Sequence, residues 1–295
     1  MRTFKTVVHF DGEFDAEKII NSGQCFRAVR LSPEQTASIA DSLVYRFIDL
    51  DHVLYIRSVP DTESQYLVSC TAGEWNRIWH RYFDFDRDYE QIRRSIPADD
   101  TFLTKAARIS RGLRVLKQDL FETLITFICS QRKSIPAIRS CVDTLALRYG
   151  SPHPTDLEPE LHLFPTPEQL SAASEEDLRA AKLGYRAPYV RDAVEKVCSG
   201  QIDLQGLAQV PDDEMIEQLE TIQGVGIKVA SCVALFAYGR TALCPVDTWI
   251  GKIIKNYYGG VNPFPSYGDT AGIMQQYAFF VAVNRERAHL KKARP

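Results

Sequence analysis

Long apolar runs, closely spaced cysteines and an excess of positive charge are all missing from this 295-residue sequence. The most apolar stretch, residues 229–238, is about half as long as the roughly 20 residues that a transmembrane helix needs. The first residues contain no leader-like apolar segment before acidic side chains begin. We therefore expect a cytoplasmic protein that does not act on membranes.

The cysteine pattern argues against a metal cluster. Seven cysteines are present and no two of them form a C-x2-C pair. Zinc ribbons and iron–sulfur clusters use such closely spaced ligands, so the sequence predicts neither. We predict reduced thiols that serve as small core residues, and no metal with side-chain ligands.

The net charge of -3, from 35 basic and 38 acidic residues, argues against a protein that binds nucleic acid through bulk positive charge. The charge is unevenly distributed, however. Residues 101–150 contain nine basic and three acidic side chains, and the last fifteen residues contain five basic and one acidic. Four basic residues recur every three positions, as expected for a solvated helix face or a phosphate-facing strip: Arg108, Arg111, Arg114 and Lys117.

Two regions of different character follow one another along the chain. Apolar alternation predicts strands at 6–10, 45–50 and 53–59, and residues 73–94 have helical spacing. Beyond a break near residue 97, the patterns predict mostly helices, among them 116–134, 134–149, 248–257 and 269–283. We predict an α+β fold, with an N-terminal domain of antiparallel sheet and helices over 1–97 and a mostly helical region over 98–295.

The densest pattern lies in residues 211–258. Acidic residues after Pro211 begin one helix, a Gln-Gly-Val-Gly-Ile connection follows, and an apolar helix begins near Lys228. This pattern predicts a helix–hairpin–helix over about 212–238. Its glycines permit positive φ and close backbone approach, and amides at a helix N-terminus attract anions. The alternatives are an ordinary helical turn and a phosphate-binding hairpin that uses the backbone of Gly224, Val225 and Gly226.

Two reactive side chains lie near this hairpin. Lys228 is at a helix N-terminus, where the dipole disfavours a cation by roughly 0.3–1 kcal/mol, and a neutral amine is a nucleophile. Asp247, nineteen residues later in Cys-Pro-Val-Asp-Thr-Trp, precedes the helix predicted over 248–257. An exposed lysine and a plain helix cap are the simpler explanations. Together, the two groups could face one cleft, where the carboxylate would stabilise positive charge developing on a sugar.

The hairpin, Lys228 and Pro245-Val246-Asp247 together resemble the helix–hairpin–helix (HhH-GPD) superfamily of DNA base-excision glycosylases. Further segments are similar to its eukaryotic-type 8-oxoguanine DNA glycosylases: NSGQCFR at 21–27, FETLITFICS at 121–130, LGYRA at 183–187 and GVGIKVASC at 224–232. The resemblance extends over nearly the whole chain. It implies that helical domains flank a DNA-binding cleft. It also implies a monomeric enzyme that acts on double-stranded DNA containing a damaged base, and that is associated with the nucleoid if the cell is prokaryotic.

The same resemblance implies roles for individual residues. Lys228 would attack C1′, expel the base and form a Schiff base that permits β-elimination, while Asp247 would stabilise the oxocarbenium-like transition state. The base would be flipped into a pocket, where the Gly23 carbonyl accepts the N7–H of 8-oxoguanine. The other pocket contacts would be Cys232 and Phe279 on the two faces of the base and Gln275 at its Watson–Crick edge. Implied DNA contacts are Arg132, Tyr185, Arg186, Gly224, Val225, Gly226 and Trp249. No cofactor is expected, although the hairpin carbonyls of such proteins can hold a monovalent cation.

The chain departs from this family at Gln131-Arg132-Lys133-Ser134, where the eukaryotic-type loop has consecutive asparagines. Arg132 would then fill the gap left by the flipped base, which leaves the preferred opposite base open. Cys25, Ala137 and Trp249 replace a family serine, arginine and histidine. Two other functions stay open: a glycosylase of the same fold for another lesion such as an alkylated purine, and a non-catalytic DNA-binding protein. Lys228 argues against a mechanism that uses water alone, and the presence of both reactive residues argues against a non-catalytic role.

Overall fold

An antiparallel sheet with short helices is followed by a long succession of helices in the computed structural model of the protein. The structure describes residues 4–10, 13–37, 39, 43–62 and 64–292, with the backbone alone for 285–292. Strands β1 (Thr6–His9), β2 (Val29–Arg30), β3 (Tyr45–Asp49), β4 (His52–Ser58) and β5 (Gln65–Val68) form one sheet in the order β1-β5-β4-β3-β2. All neighbouring strands are antiparallel. The predicted α+β class is confirmed, and the three predicted strands correspond to β1, β3 and β4.

The helix predicted over 73–94 is interrupted. Helix α1 (Ala16–Ile20) precedes β2, and the later segment consists of α2 (Ala72–Glu74), a π-helical turn at Trp75–Trp79, α3 (His80–Tyr82) and α4 (Tyr89–Arg94). Between α3 and α4, Asp84 has a φ of 54°, which a helix cannot continue through. Its buried carboxylate binds Lys117 Nζ at 2.7 Å and Arg87 Nε at 2.9 Å. These contacts favour the turn over the periodicity of the sequence.

Helices make up most of the remaining chain, and many begin where the sequence predicts. They are α5 (Thr101–Ile109), α6 (Leu120–Ser130), α7 (Ile135–Tyr149), α8 (Pro167–Ser171), α9 (Glu175–Leu178), α10 (Ala187–Cys198), α11 (Asp212–Glu220), α12 (Ile227–Phe236), α13 (Thr248–Tyr257) and α14 (Ala271–Lys292). Short helical turns lie at Arg179–Leu183, Gly184–Arg186, Gly206–Gln209 and Phe264–Thr270. Thr166 and Ser174 form capping boxes at the starts of α8 and α9.

The core runs continuously from the sheet into the helices. One cluster of buried side chains extends from Val8 in β1 to Val281 in α14, and includes both faces of the apolar helices α6 and α12. The predicted boundary near residue 97 falls between α4 and α5, and stays a prediction. Among the described residues, no helix combines the length and the hydropathy needed to cross a bilayer.

The interpretation of the basic residues at 108–117 as a phosphate-facing strip is wrong for two of the four, Arg114 and Lys117, while the side chain of Arg111 stays 70% exposed. Arg111 Nε pairs with Glu13 at 2.7 Å, and Lys117 pairs with Asp84. Arg114 is 2% exposed and donates to the carbonyls of Glu13 and Asp84. The chain after α5 is not helical, so these side chains turn toward the N-terminal region and join it to the helices.

Candidate active site

A pocket between α12, α13 and α14 gathers the predicted catalytic and base-binding residues. Its cavity volume is about 50 Å³. Six predicted residues line it: Gly23, Lys228, Cys232, Asp247, Gln275 and Phe279. The remaining wall consists of Phe127, Phe236, Pro245, Ile250 and Gln276. The structure therefore brings together side chains that are separated by up to 256 positions in the sequence.

The two reactive groups sit at the beginnings of two helices. Lys228 is the second residue of α12, and its Nζ lies 5.6 Å from the centre of the Phe127 ring, within the range of a cation–π contact. Asp247 is the N-cap of α13, where Oδ1 accepts the Ile250 amide at 2.8 Å. One carboxylate oxygen thus fixes the helix start, and the side chain as a whole borders the pocket. Its capping role, predicted from the sequence, and its place in the pocket are compatible.

Cys232 follows Lys228 by one helical turn and is 4% exposed. Burial raises the pKa of the Cys232 thiol, while the neighbouring Lys228 amine lowers it and the Asp247 carboxylate raises it. A thiol held protonated presents a small, polarisable and uncharged surface to the pocket. That surface suits contact with the face of a planar ring better than attack on it.

Gly23 occupies a position that accepts no side chain easily. Its φ is +77°, and an added Cβ would lie 2.9 Å from Phe279 Cε1. The carbonyls on either side are already bonded, Ser22 to Gln276 Nε2 at 2.8 Å and Gln24 to Gln118 Nε2 at 2.9 Å. Among the described residues, the Gly23 carbonyl has no hydrogen-bond donor. It is therefore available to a ligand in the pocket.

Gln275 and Phe279 lie one turn apart on α14. Gln275 is 3% exposed, and its Nε2 donates to the Pro245 carbonyl. This contact fixes one end of the amide and leaves the other end to meet a polar ligand edge. The Phe279 ring packs against Gly23, so it forms a flat wall of the same pocket.

The hairpin presents backbone rather than side chains. Gly224 has a φ of +75°, and a Cβ there would overlap the Tyr189 ring at 2.3 Å, so only glycine fits. Val225 is 5% exposed, and Gly226 is the N-cap of α12. The first-turn amides of α12 lack partners within the helix, as in any helix. The geometry supports the predicted anion site at the hairpin.

The loop after α6 is held against the hairpin. Arg186, only 6% exposed, donates from Nε at 2.8 Å and from Nη2 to the Gln131 carbonyl. Gln131 Nε2 in turn donates to the Gly224 carbonyl at 3.1 Å. Arg132 is exposed with a φ of +50°, a conformation unusual for a residue other than glycine. Tyr185 remains 46% exposed beside the Arg186 guanidinium.

Among the other predicted DNA contacts, Trp249 is partly exposed in the first turn of α13, with Lys252 Nζ 4.6 Å from its ring centre. The guanidinium of Arg186 is bound to the protein, so the structure gives it a positioning role in the loop. Its contact with DNA stays a prediction. The sequence assigned no role to Gln24, Gln131 or Gln276, although Gln24 lies within the segment quoted for the resemblance and Gln131 within the loop that departs from the family.

Two family models match consecutive parts of the chain. Residues 7–124 match the 8-oxoguanine DNA glycosylase N-terminal domain, and residues 125–277 match the HhH-GPD superfamily of base excision DNA repair proteins. The chain belongs to the HhH-GPD superfamily. This HhH-GPD protein is 41% identical over 217 residues to the N-glycosylase/DNA lyase OGG1 of Arabidopsis thaliana, covering 70% of the chain and 58% of the plant protein.

Solved structures give the same result over the full fold. The HhH-GPD chain matches MBOgg1 in complex with a low-affinity DNA ligand with a TM-score of 0.84, at 32% identity and 96% coverage of each chain. It matches the Clostridium acetobutylicum 8-oxoguanine glycosylase/lyase, in complex with double-stranded DNA containing cytosine opposite 8-oxoG, with a TM-score of 0.83. That match has 27% identity and covers 96% of this chain and 99% of the other.

Proposed function

We propose that the protein is a base-excision DNA glycosylase with β-lyase activity that removes 8-oxoguanine from duplex DNA. The observation that carries this proposal is the pocket that Lys228, Asp247 and Gly23 line together with Cys232 and Phe279. Chemistry at C1′ requires that the nucleotide leave the base stack. A narrow pocket with a thiol on one side and an aromatic ring on another suits a flipped purine.

The reaction follows from the two reactive groups. The Lys228 amine attacks C1′ through its nitrogen lone pair, the N-glycosidic bond breaks, and the base leaves with the bonding electron pair and takes up a proton. Asp247 stabilises the positive charge that develops on the sugar as this bond breaks. The attached nitrogen then loses a proton and the C1′–O4′ bond breaks, with O4′ taking up a proton, which leaves a Schiff base between Lys228 and C1′. This Schiff base makes the C2′ proton acidic, so loss of that proton expels the 3′ phosphate. Lys228 thus supplies both the glycosylase and the lyase step.

Selectivity for the lesion would come from the Gly23 carbonyl. 8-Oxoguanine carries a hydrogen on N7, whereas guanine has a lone pair there. The Gly23 carbonyl, held in place by the hydrogen bonds of its neighbours, would accept a hydrogen bond from N7–H of 8-oxoguanine and would repel the N7 lone pair of guanine. A buried polar contact of this kind can discriminate strongly between two substrates. Gln275, anchored at one end, would meet the Watson–Crick edge.

DNA would be held mainly by the hairpin and the loop after α6. The backbone of Gly224, Val225 and Gly226 would bind a phosphate, with Trp249 nearby, and Arg132 and Tyr185 would fill the gap left by the flipped base. A monomer is sufficient for this chemistry because one chain supplies the whole pocket. A cytoplasmic location close to the nucleoid, if the cell is prokaryotic, belongs to the same proposal.

A monovalent cation on the hairpin carbonyls is also part of the proposal. The carbonyls of Ile222 and Gly224 each accept one hydrogen bond, and each keeps a second lone pair for a weakly bound ion. No catalytic step depends on it. Replacing potassium and sodium by a large organic cation at constant ionic strength would test it, since only a bound ion makes DNA affinity depend on ion type.

Borohydride trapping tests the function directly. A duplex with 8-oxoguanine opposite C, A, G or T should give a covalent adduct that Lys228→Gln abolishes. Persistent trapping in that variant would refute the nucleophile assignment. Trapping on an alkylated purine but not on 8-oxoguanine would support the alternative lesion, and binding without trapping on any duplex would indicate a non-catalytic protein.

A further inference from the structure

Helix α10 carries a pair of charged residues that form hydrogen bonds with the backbone of the hairpin. Asp192 Oδ2 accepts the backbone amide of Gln223, the first residue of the hairpin turn, at 2.7 Å. Lys196, one helical turn later, pairs with the same Oδ2 at 2.9 Å and donates to the Thr221 carbonyl at 2.5 Å. Both ends of the short segment between α11 and the turn are therefore bound by α10.

The same face of α10 supports the turn itself. Tyr189 lies directly under Gly224, whose missing Cβ makes room for the ring. Tyr189, Asp192 and Lys196 follow the three- and four-residue spacing of one helical face. Through Gln131, the Gly224 carbonyl is also connected to the loop after α6. The hairpin and the loop after α6, the two segments proposed to contact DNA, are thus both connected to α10.

A carboxylate at this place needs an explanation, because the hairpin is the proposed phosphate site. Electrostatics alone would disfavour a negative charge behind a turn that binds an anion. The hydrogen bond to Gln223 and the pairing with Lys196 supply a reason for its presence. A hydrogen bond from a backbone amide to a charged carboxylate is among the stronger hydrogen bonds in a protein.

We propose that Asp192 is a positioning residue that fixes the hairpin, with Lys196, so that its backbone amides are presented to a DNA phosphate in one arrangement. This inference rests on the proposed function and identifies the residues that hold the DNA-binding hairpin in place. It leads to a test in which charge and positioning predict opposite signs. Removing a negative charge should strengthen DNA binding, whereas losing the contact to Gln223 should weaken it.

The experiment measures affinity for a duplex with a tetrahydrofuran abasic analogue, which requires neither a damaged base nor catalysis. Asp192→Asn keeps an acceptor for the Gln223 amide and should bind as tightly as the wild type or more tightly. Asp192→Ala should bind about tenfold more weakly, the factor that a hydrogen bond to a charged group contributes. Glu195→Ala removes a carboxylate from an exposed position of the same helix and should not weaken binding.

Kinetics and hydrogen exchange complete the test. On 8-oxoguanine duplexes, Asp192→Ala should raise KM more than it lowers kcat, because the pocket is unchanged, and Asn should restore the wild-type KM. Equal affinities of the Ala and Asn variants would overturn the proposal. If the Ala variant fails to fold, amide exchange on the wild-type protein decides, since rapid exchange at Gln223 would equally overturn it. A wild-type protein that binds the analogue but never cuts 8-oxoguanine DNA would instead refute the proposed function.

Discussion

Replacing Gly23 by alanine should separate base removal from strand cleavage. The added methyl group would point at Phe279 and approach Cε1 to 2.9 Å, closer than unstrained carbon atoms come. Phe279 is only partly buried, so its ring can yield. The yielding ring is the wall that we expect to stack on the flipped base. The substitution therefore acts on the base-binding pocket without touching Lys228 or Asp247.

Two terms set the size of the effect. A non-glycine residue at a φ of +77° costs roughly 1–2 kcal/mol in the folded protein, which lowers Tm by about 2–4 °C for each kcal/mol. Losing the stacking of one base on an aromatic ring costs roughly 1–3 kcal/mol. The second term applies only to substrates that carry a base, and it corresponds to about a 5- to 150-fold loss in kcat/KM for 8-oxoguanine removal.

The assay compares two duplexes, one with 8-oxoguanine and one with a preformed abasic site. Gly23→Ala should lose activity on the first and keep most of its β-elimination on the second. Gly200→Ala is the matched control, because Gly200 has a φ of +74° with no atom within 4 Å of its Cβ, and it does not line the pocket. Equal losses on both duplexes, or the same loss in the Gly200 variant, would refute the reasoning.

Three further predictions concern the site and its support. Asp247→Asn should keep the cap of α13, and therefore the Tm, while single-turnover base removal slows more than tenfold. Asp247→Ala should slow base removal as well and should also lose about 1 kcal/mol of stability. A lower Tm in the Asn variant would contradict the separation of capping from catalysis. Arg132→Ala should keep abasic-site cleavage but reduce discrimination between opposite bases in the trapping assay, and unchanged discrimination would exclude the side chain as the reader. Burial raises the pKa of Glu122 to about 7 and that of Asp49 to about 6, so the native state holds protons that the unfolded chain releases near pH 4. The stability that these two carboxyl groups contribute is fully present below about pH 4 and is lost as pH rises through 6 and 7. Glu122→Gln should therefore flatten the fall of Tm between pH 5 and 8. Parallel curves of Tm against pH for the variant and the wild type would refute the raised pKa of Glu122.

The fold class and the pocket could be predicted from the sequence because their signals are local or strongly patterned. Asp247 as the cap of α13 and the helix start after Thr166 follow from residue type and position alone. Lys228 and Cys232 lie one turn apart, so a helix was enough to place them together. The convergence of Gly23 and Phe279 rested on the family resemblance, since no local pattern relates residues 256 positions apart.

What could not be predicted depends on long-range pairing of polar groups. The spacing of Arg111, Arg114 and Lys117 indicated a strip on one face, yet Glu13 and Asp84 bind all three. Periodicity reports which side of an element a residue faces, and does not report which partner it finds there. The hydrogen bond from the Gln223 amide to Asp192 could not be predicted for the same reason, because both residues look like ordinary surface positions in the sequence.

The distribution of charge follows from how these polar groups are used. Several cations of the basic segment 101–150 bind acids of the N-terminal region, so the segment contributes less positive surface than its composition suggests. The positive ends of α12 and α13 lie at the pocket instead, where Lys228 and Asp247 begin those helices. Backbone amides attract a phosphate without adding net charge. An acidic chain can therefore hold DNA at one place through its helix termini, while its acidic remainder opposes contact elsewhere.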